Sequence, residues 1–544
     1  MTDRVTAREY HERTKHSPEK FRRSDFSLDF SNKPTPYKTY RDLPRVELAR
    51  RVRPAQIPAL AAIATRNSAF DRTSDLDFDA LTQLCYYSAG VTKELQRGDR
   101  TVRFRAAACT GALYHIDLYL VTGDCVAPTA QRDGGGGTAD AELDAGVYHF
   151  DPRTLSLDVI REGDFRGVLA DATGKKSRVT DAPVTFVATS TWWRNAWKYR
   201  ERTYRHAFWD SGTVLANLLG VAHALDLPAS VVAGFADQQV ADLLGVDPER
   251  EAPLELVPVG AGDRGVGGAG GDSDDSSPPV PEVDPINPAT EPLSPDEKRY
   301  DLIPAAYRGS ALEDGQAARE WRERSASESG AGPESGVATR PAGEDDRVLL
   351  DPVDDASAAK TPLYWAVQRR GSCREYERDA LNFRKVSTVL DRAVRGFPAD
   401  FRNPDGPALQ FNDCYLAVHD VSGVPSGAYH FHPEDGELEL LREGEFRSEV
   451  GHLALDQRLA ADAGLCAFFL TDLDAVTNRL GDRGYRAAQL EASLTAGRLY
   501  LGAYAHQNLG ATGLTFYDDL VTEFFEPRAE EQTPTFLWTL GRPA

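Results

Sequence analysis

Apolar residues along this chain fall into short strand-like runs separated by turns, and into helical stretches whose faces differ in width. Leu81, Leu84 and Cys85 share one helical face, residues 118–121 read as a buried strand, and Gly146-Val147-Tyr148-His149-Phe150 reads as a second. Leu155, Leu157 and Val159 alternate with the two-residue period of a half-buried strand, and residues 184–188 form a further strand. Residues 214–225 are apolar nearly all round, which predicts a deeply buried helix, and residues 254–259 close the unit as a strand. Ahead of this pattern, residues 1–55 are polar and broken by Pro34, Pro36, Pro44 and Pro54, which predicts an extended arm packed on a domain.

After residue 260 the pattern collapses. Residues 261–348 are rich in Gly, Asp, Ser and Pro, with only a short helical pattern within 296–324, and predict a flexible acidic linker. Order resumes near Leu349, and the second half then repeats the first. Gly146-Val147-Tyr148-His149-Phe150 answers to Gly427-Ala428-Tyr429-His430-Phe431, and Arg161-Glu162-Gly163 to Arg442-Glu443-Gly444. The shift is constant: 429 − 148 = 281, 442 − 161 = 281, and Tyr204-Arg205 to Tyr485-Arg486 gives 281 again. A shift held over more than a hundred residues predicts a duplicated domain, and its length excludes a solenoid. The expected fold is α+β: domain 1 over 56–260 and a degenerate domain 2 over 349–544, packed as an intramolecular pseudo-dimer.

Composition narrows the partners. The 544 residues carry a formal charge of −22, which argues against nucleic acid or an anionic membrane. No run approaches the ~18 apolar residues of a membrane span, and the charged N-terminal stretch lacks the apolar core of a signal peptide. The six cysteines form no Cys-x-x-Cys pair and no Cys/His array with zinc spacing, so free thiols in a reducing cytoplasm are expected, and no metal site. A cytoplasmic protein is the reading.

Several motifs could carry chemistry. Arg369-Arg370-Gly371-Ser372-Cys373-Arg374 in the second half, and Arg66-Asn67-Ser68 in the first, set guanidinium groups and a hydroxyl at an expected helix start, where they could fork around a phosphate. The alternative is a solvated helix end. Thr110-Gly111-Ala112 leads into the strand at 118–121 and would let a flat ring approach the backbone, or is a plain turn. Gly234-Phe235 ends an expected strand that could offer an amide to a cofactor, or is an ordinary strand-to-turn junction. Lys198-Tyr199, followed by Arg202 and Tyr204-Arg205, sets a cation and a phenol just before the apolar helix. Its counterpart is Arg479-Leu480, without either reactive group.

Together these features resemble the SagB/ThcOx-type dehydrogenases of the FMN-dependent nitroreductase superfamily. The resemblance rests on the TKHSPEKF and PYKTY segments of the arm, the Arg-x-Ser openings, Thr110-Gly111-Ala112-Leu113-Tyr114, the Gly-Val-Tyr-His-Phe strand, Lys198-Tyr199 with Tyr204-Arg205, and Gly234-Phe235-Ala236-Asp237. It implies FMN at the interface of two intertwined domains. Arg66, Ser68, Arg369, Arg370, Ser372 and Arg374 would hold the phosphate, and Arg205 would be a further cofactor contact. Thr110, Gly111 and Ala112 would cover the ring, and Gly234 and Phe235 would approach its N5. It also implies Lys198 and Tyr199 as the catalytic pair, used when an azoline in a peptide is oxidised to an azole. Desolvation beside Arg202 and Arg205 would supply the neutral lysine such chemistry needs.

The sequence departs from the family at Thr65-Arg66, at His115 where proline is usual, and at Arg479-Leu480. The first half keeps the better ring-covering turn and the second the better phosphate cluster. This predicts one competent FMN site shared between halves, with a second degraded one. The expected substrate is a small molecule or peptide, with other peptide-modifying enzymes as partners. The alternatives are an NAD(P)H-dependent nitro- or quinone reductase, and a non-catalytic scaffold of a peptide-modifying complex.

Overall fold

The structure is a computed structural model of the chain and describes residues 4–48, 52–64, 76–98, 100–123, 143–261, 278–326 and 347–544. The arm contributes β1 (Arg45–Glu47). A hairpin of β2 (Val91–Arg97) and β3 (Arg100–Arg105) precedes β4 (Ile116–Thr122), β5 (Gly146–Asp151), β6 (Ser156–Glu162), β7 (Val184–Thr191) and β8 (Glu251–Val259). These form an antiparallel sheet in the order β1-β6-β5-β4-β7-β8, with β2-β3 apart. The second half supplies β9 (Arg347–Leu349), β10 (Tyr376–Glu377), β11 (Asp413–Val418), β12 (Gly427–His432), β13 (Glu437–Glu443), β14 (Leu465–Thr471), β15 (Gly510–Leu514) and β16 (Thr533–Pro543). Its order is β10-β16-β14-β11-β12-β13-β9, with β15 on β16.

The two sheets share one plan: β6-β5-β4-β7-β8 corresponds to β13-β12-β11-β14-β16. The offset survives in the backbone, since 427 − 146, 437 − 156 and 465 − 184 all equal 281. Every residue of β7 and of β14 is buried, and β14 accordingly reads as a nearly continuous apolar run rather than an alternating one. The expected α+β pseudo-dimer of two like domains is present. Residues 231–234 are the exception to the expected strands: they make only isolated bridges, from Val231 to Ala399 and from Val232 to Leu256.

Two long buried helices, Thr203–Ala224 and Arg483–Ala505, join the halves. Tyr204 stacks on Tyr485 with ring centroids 6.5 Å apart. A Cβ on Gly212 would fall 2.0 Å from Ser493 Oγ, and one on Gly497 would fall 2.5 Å from the Cβ of Ala216. Each of these residues meets its own counterpart, because 485 − 204, 493 − 212 and 497 − 216 are all 281. Self-meeting residues mark a two-fold axis, here an internal pseudo-two-fold, and the two glycines are what let the helices cross so closely.

Around that axis the halves exchange charges reciprocally. Arg202 Nη1 and Arg205 Nη1 donate to Asp518 at 2.9 and 2.6 Å, while Arg483 Nη1 and Arg486 Nη1 donate to Asp237 at 2.6 and 2.7 Å. All three partners are related by 281, and all six side chains are buried. Burial alone would raise the Asp518 carboxyl, but the charges of Arg202 and Arg205 outweigh it and hold the group well below the usual carboxylate range.

The span expected as linker is ordered over 278–326. Helices Leu302–Gly309 and Gly315–Ala326 pack between the halves because Ile303, Tyr307, Ala318 and Trp321 are buried there. The arm crosses to the second half: Ala7 N donates to Asp482 Oδ1 and His16 N to Asp518 Oδ2. No helix among the described residues is long and apolar enough to cross a membrane.

Candidate active site

A cavity of about 1160 Å³ lies between the halves. Its walls are Thr110, Gly111, Ala112, Lys198, Tyr199, Asp210 and Thr213 from the first half, and Arg370, Gly371, Ser372, Arg374, Tyr500, Gly513 and Thr515 from the second. Its mouth is formed by Lys20, Phe21 and Phe26 of the arm and by Lys93 and Leu95 of the hairpin. Nine Lys and Arg line it against two acids, Glu201 and Asp210, in a chain of net charge −22. Such an interior attracts anions. The volume exceeds the roughly 300–1,000 Å³ of a single small-molecule pocket, so a cofactor and a substrate fit together.

The first-half wall is a strained turn. Gly111, Ala112 and Tyr114 have φ of 63°, 53° and 49°. Only the first is glycine, and non-glycine residues in that region are held there by their surroundings. The holder is Asp210, which the sequence reading missed. Its carboxylate accepts from Thr110 N at 2.8 Å, Thr110 Oγ1 at 2.6 Å, Cys109 Sγ at 3.0 Å and His115 Nε2 at 2.9 Å. His115 is therefore a partner of this carboxylate. The signal was available: an acid sits inside an apolar helix in both halves, as Asp210 and Glu491, 281 apart. Glu491 accepts from the amides of Gln410, Phe411 and Asn412 in the same way.

Lys198 and Tyr199 end the helix Trp192–Tyr199 and are half-buried. Lys198 Nζ lies 5.0 Å from the Tyr199 ring centroid. Burial, and then the charges of Arg374 and Lys33, lower the Lys198 pKa. The direction and the leading cause, burial, match expectation, but the neighbouring cations differ, because Arg202 and Arg205 are committed to Asp518. Burial, with Asp210 and Cys109 adding, raises Tyr199, so it stays a phenol. Its hydroxyl packs so closely on Gly111 that a Cβ there would lie 2.9 Å from it. The next residue, Arg200, has φ 52° and ψ −133°, where its counterpart Gly481 has φ 66°.

The second-half wall differs from the expected helix start. The helix Leu363–Arg369 ends at the cluster rather than beginning there, so no N-terminal amides point at the cavity, and side chains must provide the donors. Arg370 uses Nε and Nη2 on the carbonyls of Ala106 and Arg105, tying the walls together. Arg374 is exposed and has no hydrogen-bond partner among the described residues. Arg369 does not line the cavity and lies 4.1 Å over the Trp365 ring.

Other expected residues lie elsewhere. Arg205 is fully buried and spends its donors on Asp518, Thr14 Oγ1 and the His11 carbonyl, so it clamps the interface instead of lining the cavity. Gly234 and Phe235 are also absent from it. The amides of Ala233 and Gly234 donate to Asp400 at 2.8 and 3.0 Å, and Phe235 is fully buried. The segment that reaches the cavity at this level is Gly513 to Thr515 of the other half, where 515 − 234 = 281. Arg66 and Ser68 lie outside the described residues.

Comparison with known proteins agrees with this architecture. Residues 129–261 match the Nitroreductase family model, described as the Nitroreductase family. The chain carries a nitroreductase-family domain. A nitroreductase-like protein of Methanocaldococcus jannaschii is 29% identical over 180 residues, spanning 32% of this chain and 87% of its own. The Microcin B17-processing protein McbC of Escherichia coli is 28% identical over 145 residues, 26% of this chain and 49% of its own, so the match spans about half of McbC. The crystal structure of a nitroreductase-like protein from Anabaena variabilis superposes with a TM-score of 0.73 at 25% identity, covering 99% of this chain and 100% of that one. The nitroreductase-like halves thus recur together, as one chain, in a solved structure.

Proposed function

We propose that the chain is an FMN-dependent oxidoreductase that dehydrogenates an azoline or similar peptide-derived heterocycle at a single site shared by both halves. We read the constant 281-residue offset as a tandem duplication in which each half kept different parts of that site. The observation that carries this is the cavity itself. It joins Thr110, Gly111, Ala112, Lys198 and Tyr199 from one half to Arg370, Ser372 and Arg374 from the other.

These residues fit FMN. Arg374 is an unpaired cation beside the Ser372 hydroxyl and Gly371, where even an added Cβ would meet nothing within 4 Å. That is room and charge for a phosphate. Across the cavity, the Thr110–Ala112 turn presents backbone with no bulky side chain, suited to a flat ring. Bound FMN would supply the two-electron acceptor. Lys198, with its lowered pKa, takes the ring-carbon proton at Nζ. Tyr199, held as a phenol, donates a hydrogen bond that orients the reacting group. The arm and hairpin narrow the mouth and limit water.

The likeness to McbC, named for processing microcin B17, favours a peptide substrate and other peptide-modifying enzymes as partners. A second reading, an NAD(P)H-dependent nitro- or quinone reductase, is favoured by the nitroreductase-like Methanocaldococcus and Anabaena proteins. The test is the visible spectrum of the purified protein with the released cofactor counted. About one FMN per chain is expected. Two would refute the shared single site, and none after adding FMN would refute the oxidoreductase reading. Lys198→Ala should keep FMN yet lose about 10²–10⁴-fold in dehydrogenation. Unchanged turnover, with fast oxidation of NAD(P)H, would favour the reductase.

A further inference from the structure

We propose that the second half holds a divalent transition-metal ion, of the zinc class, between His430, His432 and Glu439. This site is separate from the cavity, which none of the three residues lines. His430 and His432 alternate along β12 and so project from one face of the sheet, and Glu439 on β13 is paired directly opposite His430. The three ligand atoms all lie within 4.8 Å of one another. His430 Nδ1 is 3.2 Å from His432 Nε2, which is 2.8 Å from Glu439 Oε2. Ligand atoms at about 2.0–2.2 Å from a tetrahedral ion stand about 3.3–3.6 Å apart, so the imidazole nitrogens already hold nearly that spacing and the carboxylate oxygen has to draw back by about half an ångström.

Hydrogen bonding alone serves this cluster poorly. His430 Nε2 faces Asp413 Oδ1 at 3.3 Å. If it donates there in the neutral ring, Nδ1 is left as a lone pair aimed at His432. His432 Nε2 can carry one proton and faces two acceptors, His430 Nδ1 and Glu439 Oε2. A cation in place of that proton would satisfy all three atoms at once. His430 also shows the arrangement metal-bound histidines adopt, with the far ring nitrogen on a carboxylate that is itself held. Gln532 Nε2 donates to Asp413 Oδ2, and Tyr415 donates to Gln532 Oε1 at 2.8 Å. Two guanidinium groups, those of Arg528 and Arg347, also act on Glu439, and Arg347 is held by Glu437 at 2.6 Å.

The first half lacks the set. The residues 281 before are His149, Asp151 and Asp158, and Asp151 there accepts from Arg153. His432 is also partly open, at 23% side-chain exposure, so an ion can reach it and keep a water ligand. Two imidazoles and one carboxylate with an open position suit Zn²⁺ or Fe²⁺ over Mg²⁺ or Ca²⁺. The site would tie β12 to β13 and, through Asp413, to β11.

The test uses the full chain, stripped with chelator, equilibrated with Zn²⁺ and analysed for metal content, with melting followed in parallel. About one Zn²⁺ per chain is expected, with a raised melting temperature. His432→Ala should weaken binding at least about 100-fold and remove the thermal shift, while FMN content and fold stay as in the parent. Asp413→Asn should weaken it by about 10–100-fold. Sub-stoichiometric Zn²⁺ in the parent, or equal Zn²⁺ in parent and a His432→Ala/Glu439→Gln double variant, would overturn the proposal.

Discussion

The reciprocal arginine clamps offer a matched pair of perturbations, Asp518→Asn and Asp237→Asn. Each carboxylate sits, buried, on two guanidinium groups of the opposite half, and each also accepts a backbone amide, His16 N for Asp518 and Leu312 N for Asp237. Asparagine keeps the shape and removes the charge, leaving two buried cations uncompensated. Breaking a buried pair by removing one partner costs about 3–5 kcal/mol, so each variant should lose about that much. The consequences for the cavity should differ. Arg202, Thr14 and His16 line it, and Arg202 Nη1 also donates to the Thr14 carbonyl at 2.7 Å, so Asp518 anchors both the arm and one wall. None of Asp237, Arg483 and Arg486 lines it. Urea unfolding read by fluorescence should show similar stability losses. Titration with FMN at a urea-free temperature well below melting should show at least about tenfold weaker binding for Asp518→Asn and near-parental binding for Asp237→Asn; tenfold corresponds to 1.4 kcal/mol. Equal FMN affinity in the two variants would refute the link between clamp and cavity. A loss under about 1 kcal/mol in either would refute the clamp itself.

Three further outcomes follow from single groups. Glu255 is buried with only the Ser211 hydroxyl, at 3.0 Å, on one oxygen, and burial pushes it up to about 8 from an ordinary 4.5. Between those values the folded protein holds a proton that the unfolded chain has released, so this group costs more as pH rises. Glu255→Gln should stabilise by about 3 kcal/mol at pH 7 and by almost nothing near pH 4.5, at 1.36 kcal/mol per unit; a gain independent of pH would refute it. His419 shifts the other way. Burial pulls it down to about 3, so the unfolded chain protonates first and stability is lost as pH falls below about 6.5. His419→Leu should shrink the loss between pH 7 and pH 5 by about 2 kcal/mol, and an unchanged slope would count against it. Arg200→Gly should relieve about 1–3 kcal/mol of backbone strain against about 0.5–1 kcal/mol of glycine entropy, a net gain of about 1 kcal/mol in unfolding experiments, whereas a clear loss would show that Arg200 is needed for packing.

Much of the fold was legible because it repeats. The offset of 281 runs through both sheets, and the strand patterns at 118–121, 146–150, 184–188 and 254–259 all became strands. The cavity walls were legible in part: Thr110, Gly111, Ala112, Lys198, Tyr199, Arg370, Ser372 and Arg374 converge on it. Arg205 was misread for an instructive reason. Tyr204-Arg205 recurs as Tyr485-Arg486 in the half where Arg479-Leu480 stand in place of Lys-Tyr, so the repeated pair goes with what both halves share, their interface. The partner could not be seen locally, since Arg205 and Asp518 are 313 residues apart. Gly234 was misplaced because its half faces the other side of the pseudo-two-fold, and its counterpart at Thr515 took the position expected of it. The linker was misread because average composition hid Trp321, a single residue with enough buried surface to order a helix.

That helix fills the position related to the cavity by the pseudo-two-fold. At the related position, Arg479 and Leu480 stand where Lys198 and Tyr199 would be, and the linker covers them. Trp321 Nε1 donates to the Leu480 carbonyl at 2.9 Å, and Arg479 Nη2 donates to the Ser325 carbonyl at 2.7 Å. Arg322 Nη1 donates to the Gly234 carbonyl at 3.0 Å, while Asp400 occupies the amides of Ala233 and Gly234. The carboxylate on those two amides uses donors whose counterparts, at Leu514 and Thr515, border the open cavity. A tryptophan that is fully buried and an acid bound to two amides are stable fillings, because each satisfies its polar atoms while excluding water. The same filling lets the linker join the two halves across one face while the arm and the strained Thr110–Ala112 turn stay free to shape the other.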